Sequence, residues 1–343
     1  MKKYFFFIFI FIIAFNIRAQ ETDPNIKASF IKFNLAAKFV EEKKYSQAID
    51  VFSKVIELNP SMEKAFFLRA KCKFANNDIR AAILDFNTVL KLNKTNGEAY
   101  YYLGYAILKT DTSKVDIELF NKAINNGYIE AEVYYYRGVV RMIKKDFSNA
   151  ILDFSSAIEK KPDYAVAFYD RGLAKLNNNE LQAAIVDFQQ AVYIDPELTD
   201  SYINLAYCLI FNNDFQNAIK VLTKAIELNN NNIMALNNRG VAYFKMGDLR
   251  MSLTDLGKAI KIDKANFRVL NNIGIAQAKA KNSKVAIDAL NLCISSNPQA
   301  SEAFLNRGFI KESGGDLNGA CADWTSAYKL GNTNAGNYIK ECK

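Results

Sequence analysis

Five arginines of this 343-residue chain each have an aspartate sixteen positions later: Arg69 with Asp85, Arg137 with Asp153, Arg171 with Asp187, Arg239 with Asp255, and Arg307 with Asp323. A row of guanidinium groups is a common means of gripping phosphate or carboxylate. Here every cation comes with its own acid, which argues for internal ion pairs instead. At four equivalent places the first position is Leu35, Leu103, Leu205 or Ile273, and the second is Val51, Leu119, Val221 or Ala289. Charged and apolar choices switch together, as side chains in contact do. The exchange is energetically plausible because a buried ion pair and an apolar pair lie close to break-even. The five pairs are therefore read as bridges between two helices.

Other chemistry is limited by what the chain lacks. It has no histidine, so Ser-His-Asp and Cys-His nucleophiles, His-ligated zinc and imidazole acid–base catalysis are excluded. No Cys-x-x-Cys spacing occurs, so no metal site is expected. Paired carboxylates cannot be placed in a closed pocket. The expectation is a protein that is not an enzyme, with no catalytic, cofactor-binding or metal-ligating residues.

Two further rows suit recognition rather than catalysis. Asn204, Asn238, Asn272 and Asn306 are spaced by 34 residues. An amide both donates and accepts, so such a row can pair with the backbone of an extended peptide whatever its sequence. Tyr101, Tyr135 and Tyr169 share the same 34-residue spacing, and Tyr105 and Tyr207 stand at a position four further along it. Together they form an aromatic strip on one helix face. Tyrosine offers a large apolar area with a polar tip, and the strip serves either recognition or packing between stacked helices.

The elements that position these rows follow from self-comparison. Ala36, Ala70, Gly104, Gly138, Gly172, Ala206, Gly240, Gly274 and Gly308 are successively 34 apart, with no insertion. Twelve residues after each lies a second small slot, filled by Ala48, Ala82, Ala150, Ala184, Ala218, Ser252, Ala286 or Ala320, with Asp116 the departure. Four further on is a bulky slot: Phe52, Phe86, Phe120, Phe154, Phe188, Leu222, Leu256, Leu290 and Trp324. Spacings such as Ala218–Leu222–Ala225 are helical. Each unit reads as two short amphipathic helices whose small residues permit close approach and whose large residue fills the hollow beside it. Pro60, Pro162, Pro196 and Pro298 share a slot after the second helix and stop it. Asp116 cannot be buried cheaply, so the third pair is expected to be distorted or looser.

This pattern resembles the tetratricopeptide repeat family, and AFYDRGLAKLNNNELQAAIVDFQQAVYIDP (167–196) carries its signature. The resemblance implies an all-α fold, a right-handed α-solenoid superhelix of nine 34-residue helix-turn-helix repeats plus a C-terminal capping helix. The repeats are expected at 29–62, 63–96, 97–130, 131–164, 165–198, 199–232, 233–266, 267–300 and 301–332, with the cap at 333–343. In this family the first helices line a concave groove, and an asparagine ladder at the matching place holds extended peptides. The Lys and Arg positions of the family's carboxylate clamp are not matched as a set.

Cys72, Cys208 and Cys293 fall on core positions and read as buried thiols. Cys321 and Cys342 flank the last turn and are expected to form a disulfide if the two helices run antiparallel. The N-terminus MKKYFFFIFIFIIAFNIRAQ has Lys2 and Lys3, an apolar run Tyr4–Phe15 and Ala19 before Gln20. This is the layout of a signal peptide, 1–19, followed by a linker over 20–28. The apolar run is short for a spanning helix, so no stable membrane insertion after cleavage is expected. Removal of Lys2, Lys3 and Arg18 lowers the formal charge from +8 to +5. The remaining lysine doublets are scattered, without the basic stripe of a nucleic-acid binder. Export makes a disulfide permissible and places the protein in a periplasm or outside the cell. The Asn-, Ile-, Lys- and Phe-rich usage points to an AT-rich bacterial genome. The functional expectation is an exported, non-catalytic scaffold holding a partner protein or extended peptide in its groove. The alternative is an enzyme, or a carbohydrate- or peptidoglycan-binding accessory subunit of a cell-envelope enzyme system, with tyrosines stacking on sugars and Asp170 or Asp200 as acids. A third reading is a plain structural spacer.

Overall fold

The computed structural model describes residues 24–340 and 342; the expected signal peptide, 1–19, lies outside the described residues. The chain is all-α. Among the described residues there are nineteen α-helices, a 3₁₀ turn at Thr112–Lys114 and no strand. It divides into two compact units at Pro162/Asp163.

The described part of the first unit carries α1 (Pro24–Glu41), α2 (Tyr45–Leu58), α3 (Glu63–Ala75), α4 (Ile79–Leu92), α5 (Gly97–Thr110), α6 (Ile117–Asn125), α7 (Ala131–Ile143) and α8 (Phe147–Lys160). The second carries α9 (Ala165–Asn177), α10 (Leu181–Ile194), α11 (Thr199–Phe211), α12 (Phe215–Leu228), α13 (Ile233–Met246), α14 (Leu249–Ile262), α15 (Phe267–Lys279), α16 (Ser283–Ser296), α17 (Ser301–Ser313), α18 (Leu317–Lys329) and α19 (Ala335–Ile339). Each unit is an α-solenoid in which every helix packs on the next.

Local chemistry sets the helix ends. Between α3 and α4 the backbone of Asn77 is left-handed, with φ of 66°. Asparagine tolerates that region, and the turn it makes lets Asp78 N donate to Lys73 O at 2.8 Å. Asp78 then caps α4 by accepting from Ala81 N at 3.3 Å. Second helices end at Leu58, Lys160, Ile194 and Ser296, two residues before Pro60, Pro162, Pro196 and Pro298. Proline has no N–H to continue the ladder.

The core follows the small–large pattern. Phe52, Phe86, Phe120, Phe154 and Phe188 are fully buried, as are Leu222, Leu290 and Trp324. A Cβ on Gly138 would stand 2.8 Å from the Phe154 ring, and one on Gly172 2.8 Å from Phe188. The ring occupies the space that a larger first-slot residue would need. Cys72, Cys208 and Cys293 are buried free thiols.

Three places depart from the expected plan. First, the described part of the stretch read as a linker, residues 24–28, is helical and belongs to α1. Second, Asp116 does not enter the core. It is exposed and accepts from Glu118 N at 3.0 Å as the cap of α6, so α6 has nine residues against fourteen in α4. The carboxylate stays hydrated by starting the helix late. Third, the terminal helix covers Ala335–Ile339 only, shorter than 333–343, and contains Gly336, a poor helix former. It still covers the end of the stack: the Tyr338 ring lies 4.7 Å from Phe309 and 5.4 Å from Trp324.

Candidate functional site

The arginine row is occupied internally. Arg69 donates from Nε and Nη2 to the two Asp85 oxygens, each at 2.8 Å. Arg171 reaches Asp187 at 2.9 and 2.8 Å, Arg239 reaches Asp255 at 2.7 and 3.0 Å, and Arg307 reaches Asp323 at 2.8 and 2.6 Å. Arg137 Nη2 meets Asp153 at 2.7 Å. These forks are bidentate, the geometry in which Arg binds carboxylate most strongly. The aspartates are buried, with Asp153, Asp187 and Asp255 each 1% exposed. Hydrogen bonding to Asp255 raises the pKa of Arg239 above its ordinary value, against the opposing effect of burial.

Two partners of this network escaped the sequence reading. A second cation, one helical turn on, reaches the same carboxylate: Lys73 to Asp85 at 2.8 Å, Arg141 to Asp153 at 2.7 Å, Lys175 to Asp187 at 2.8 Å and Lys311 to Asp323 at 2.8 Å. The other guanidinium arm reaches back to the preceding repeat. Arg69 donates to Ser53 Oγ at 3.0 Å, Arg137 to Asn121 Oδ1 at 2.9 Å, and Arg239 to Thr223 Oγ1 at 3.0 Å. Each of these arginines therefore ties two repeats together as well as two helices. With its donors so engaged, the row has little left for a ligand.

The aromatic strip is largely internal too. In the first unit Tyr101 is 4% exposed, and its ring stacks on Tyr128 at 4.9 Å and on Tyr105 at 6.1 Å. Tyr105 lies 4.3 Å from Tyr136, and Tyr135 lies 5.8 Å from Phe154. Burial, and then neighbouring phenols, push the Tyr101 hydroxyl well above its ordinary pKa. In the second unit Tyr169 packs 5.9 Å from Phe188. Its pKa rises to about 12, mainly through burial and then through Asp200 and Asp170, while the Asn204 hydrogen bond opposes the rise. Tyr207 is different, at 50% exposed. Packing between helices accounts for most of the strip, and Tyr207 is the member that faces solvent.

The asparagines lie on the first helices of the second unit, where α11, α13, α15 and α17 contact one another in turn. Asn204 Nδ2 donates to Tyr169 Oη at 3.2 Å, Asn272 Nδ2 to Asn237 Oδ1 at 2.8 Å, and Asn306 Nδ2 to Asn271 Oδ1 at 3.0 Å. Each bond spans 35 residues, one more than the repeat, so each amide leans on the preceding helix. The equivalent partner of Asn238 is Ile203, which cannot accept, and Asn238 Oδ1 takes a bond from Asn237 Nδ2 at 3.3 Å instead. The amides are thereby held in fixed orientation, half-buried. No second partner is recorded for the Oδ1 of Asn272 and Asn306 among the described residues. Those oxygens can accept from a peptide N–H.

Beside this row lies an open hollow of about 400 Å³, lined by Asn237, Asn271, Asn272 and Gln299 over Phe267 and Ala300. Cys293 closes its base, its thiol donating to Phe267 O at 3.1 Å. Asn237 and Asn271 occupy the same 34-residue slot as Tyr101, Tyr135 and Tyr169 in later repeats. Their role emerges only from the 35-residue pairing. Among the described residues no cluster of metal-ligating side chains occurs, and no helix is long and apolar enough to cross a membrane.

Cys321 and Cys342 form a disulfide, with Cα atoms 5.6 Å apart. It joins the start of α18 to the chain end beyond α19.

Comparison with known proteins places this architecture. Residues 67–128 and 144–198 match a family described as tetratricopeptide repeat, as do 235–266, and 212–247 match one described as TPR repeat. No curated protein sequence matches the chain. Among solved structures, the C-terminal part of a TPR repeat-containing protein from Cytophaga hutchinsonii is 20% identical with a TM-score of 0.57, covering 70% of this chain and 99% of that one. The Cut9–Hcn1 hetero-tetramer structure of the APC/C is 16% identical with a TM-score of 0.56, covering 87% and 59%. PilF of Pseudomonas aeruginosa is 15% identical with a TM-score of 0.52, covering 62% and 97%. At these identities the likeness is one of fold.

Proposed function

Since the chain is a tetratricopeptide repeat protein, we propose that it is an exported, non-catalytic scaffold that holds a partner protein through an extended segment lying along α11, α13, α15 and α17. The observation that carries this reading is the braced amide row. Asn272 and Asn306 are oriented by bonds to the preceding repeat, and their half-buried side chains keep oxygens that accept no bond among the described residues. Backbone recognition of this kind tolerates many side chains, so affinity comes from the number of amides engaged and from pockets such as the hollow beside Asn271. Export is supported by the N-terminal pattern over 1–19 and accords with a Cys321–Cys342 bridge.

The test is selection of binders from a random peptide display library on the full mature chain. Binders enriched on wild type and weakened about tenfold or more in Asn272→Ala/Asn306→Ala, with an unchanged circular dichroism spectrum, support the reading. A library that yields no enriched binders, or only binders indifferent to both asparagines, refutes it.

A further inference from the structure

The hollow has a feature that backbone recognition does not use. Arg268 stands on its wall at the start of α15, and Glu302 stands there at the start of α17. The two occupy equivalent positions in successive repeats, 34 residues apart. Both are exposed, and neither has an ion-pair or hydrogen-bond partner among the described residues. The Arg268 guanidinium lies 5.4 Å from the Phe267 ring centroid, a contact that restrains a long side chain. Arg268 is four residues before Asn272, and Glu302 is four residues before Asn306. On a helix that spacing places each charge on the same face as its amide.

We propose that Arg268 and Glu302 read charge in the peptide held on this face, with an acidic side chain selected over α15 and a basic one over α17. The inference rests on the groove reading above and assigns its sequence preference. An uncommitted cation and an uncommitted anion in one hollow are complementary to a ligand bearing both signs and repel a ligand bearing one. Packed helices stand about 8–10 Å apart, and an extended chain advances at most about 3.3–3.6 Å per residue. Acid and base three positions apart in the peptide therefore match one step from helix to helix. The same position in the two preceding repeats is Met234, 59% exposed, and Asp200, also exposed. The preference thus continues with an apolar and then a basic side chain.

The experiment is fluorescence polarisation at low ionic strength with the full mature chain and short labelled peptides on a neutral Ser/Asn background. The peptides carry Asp-x-x-Lys, Lys-x-x-Asp, Asp-x-x-Asp or Lys-x-x-Lys; both mixed orders are used because a backbone can lie either way along amides. At least one mixed peptide is expected to bind about two- to fivefold tighter than either like-charged one, the scale of an exposed ion pair. Added salt should erode the difference. Arg268→Glu should move the preference to Lys-x-x-Lys, and Glu302→Lys should move it to Asp-x-x-Asp. Equal binding of all four peptides that Asn272→Ala abolishes would leave the groove reading standing and overturn the charge reading. A preference unmoved by either charge reversal overturns it as well, and failure of every peptide to bind overturns both.

Discussion

Removing the Asp187 carboxylate tests the energetic logic of the whole stack. Asp187 is 1% exposed and accepts from Arg171 at 2.9 and 2.8 Å and from Lys175 at 2.8 Å. Those two cations are themselves only 17% and 16% exposed at the side chain. Asp187→Ala therefore leaves two largely dehydrated positive charges facing each other across a cavity. Breaking a buried pair from one side costs about 3–5 kcal/mol. At about 2–4 °C per kcal/mol for a unit of this size, the melting midpoint should fall by about 6–20 °C. Replacing all three members tells cost from benefit. Repeat six carries Leu205, Leu209 and Val221 at the corresponding positions, so Arg171→Leu/Lys175→Leu/Asp187→Val transplants an arrangement this fold already uses. That triple variant should recover most of the loss, because charge removed together leaves nothing unpaired. Urea titration followed by circular dichroism, alongside thermal melts, measures both. The reasoning fails if Asp187→Ala unfolds like wild type, or if the triple variant is no more stable than the single one.

Further outcomes follow from the packing and the thiols. Gly138→Ala should cost about 1–3 kcal/mol, because the new methyl group meets the Phe154 ring at 2.8 Å; a urea midpoint equal to wild type would contradict the close-approach argument. Burial pushes the Cys208 thiol up to about 11 from an ordinary 9.0, so the native state keeps its proton where the unfolded state loses it. That contribution to stability is intact below pH 9 and lost as pH rises toward 11. Cys208→Ala should flatten this part of a stability–pH profile, and iodoacetamide at mildly alkaline pH should label Cys208 only after denaturation. Reducing Cys321–Cys342 releases a loop closed across 21 residues and should lower stability by about 3 kcal/mol on chain-entropy grounds. Cys321→Ser/Cys342→Ser should melt like the reduced protein, and a double variant matching the oxidised form would show that the bridge contributes nothing.

Contacts inside one repeat were legible in the sequence because they recur at constant separation. Gly138 and Phe154, like Arg171 and Asp187, stand sixteen apart in the chain, and for the arginine and aspartate slots comparing copies showed the types changing together. The helical spacing inside each 34-residue unit pointed to paired helices, and the resemblance that this pattern carries implied the all-α fold. Contacts between repeats were hidden for a physical reason: they depend on how one helix pair is rotated and shifted against the next. Only the tertiary structure decided that Asn272 reaches Asn237 rather than Asn238, or that Arg239 spends its third arm on Thr223. The same holds for Asp116, whose type announced a disturbance but whose remedy, a late-starting α6, required a backbone free to move the carboxylate into water. It holds also for Tyr101 and Tyr207, both tyrosines on one predicted face. One is enclosed by the rings of Tyr105 and Tyr128, while the other is left half in solvent because no ring contact covers it among the described residues. Periodicity specifies which side chains share a helix face, but the stacking of neighbouring helices determines how much of that face remains open to a partner.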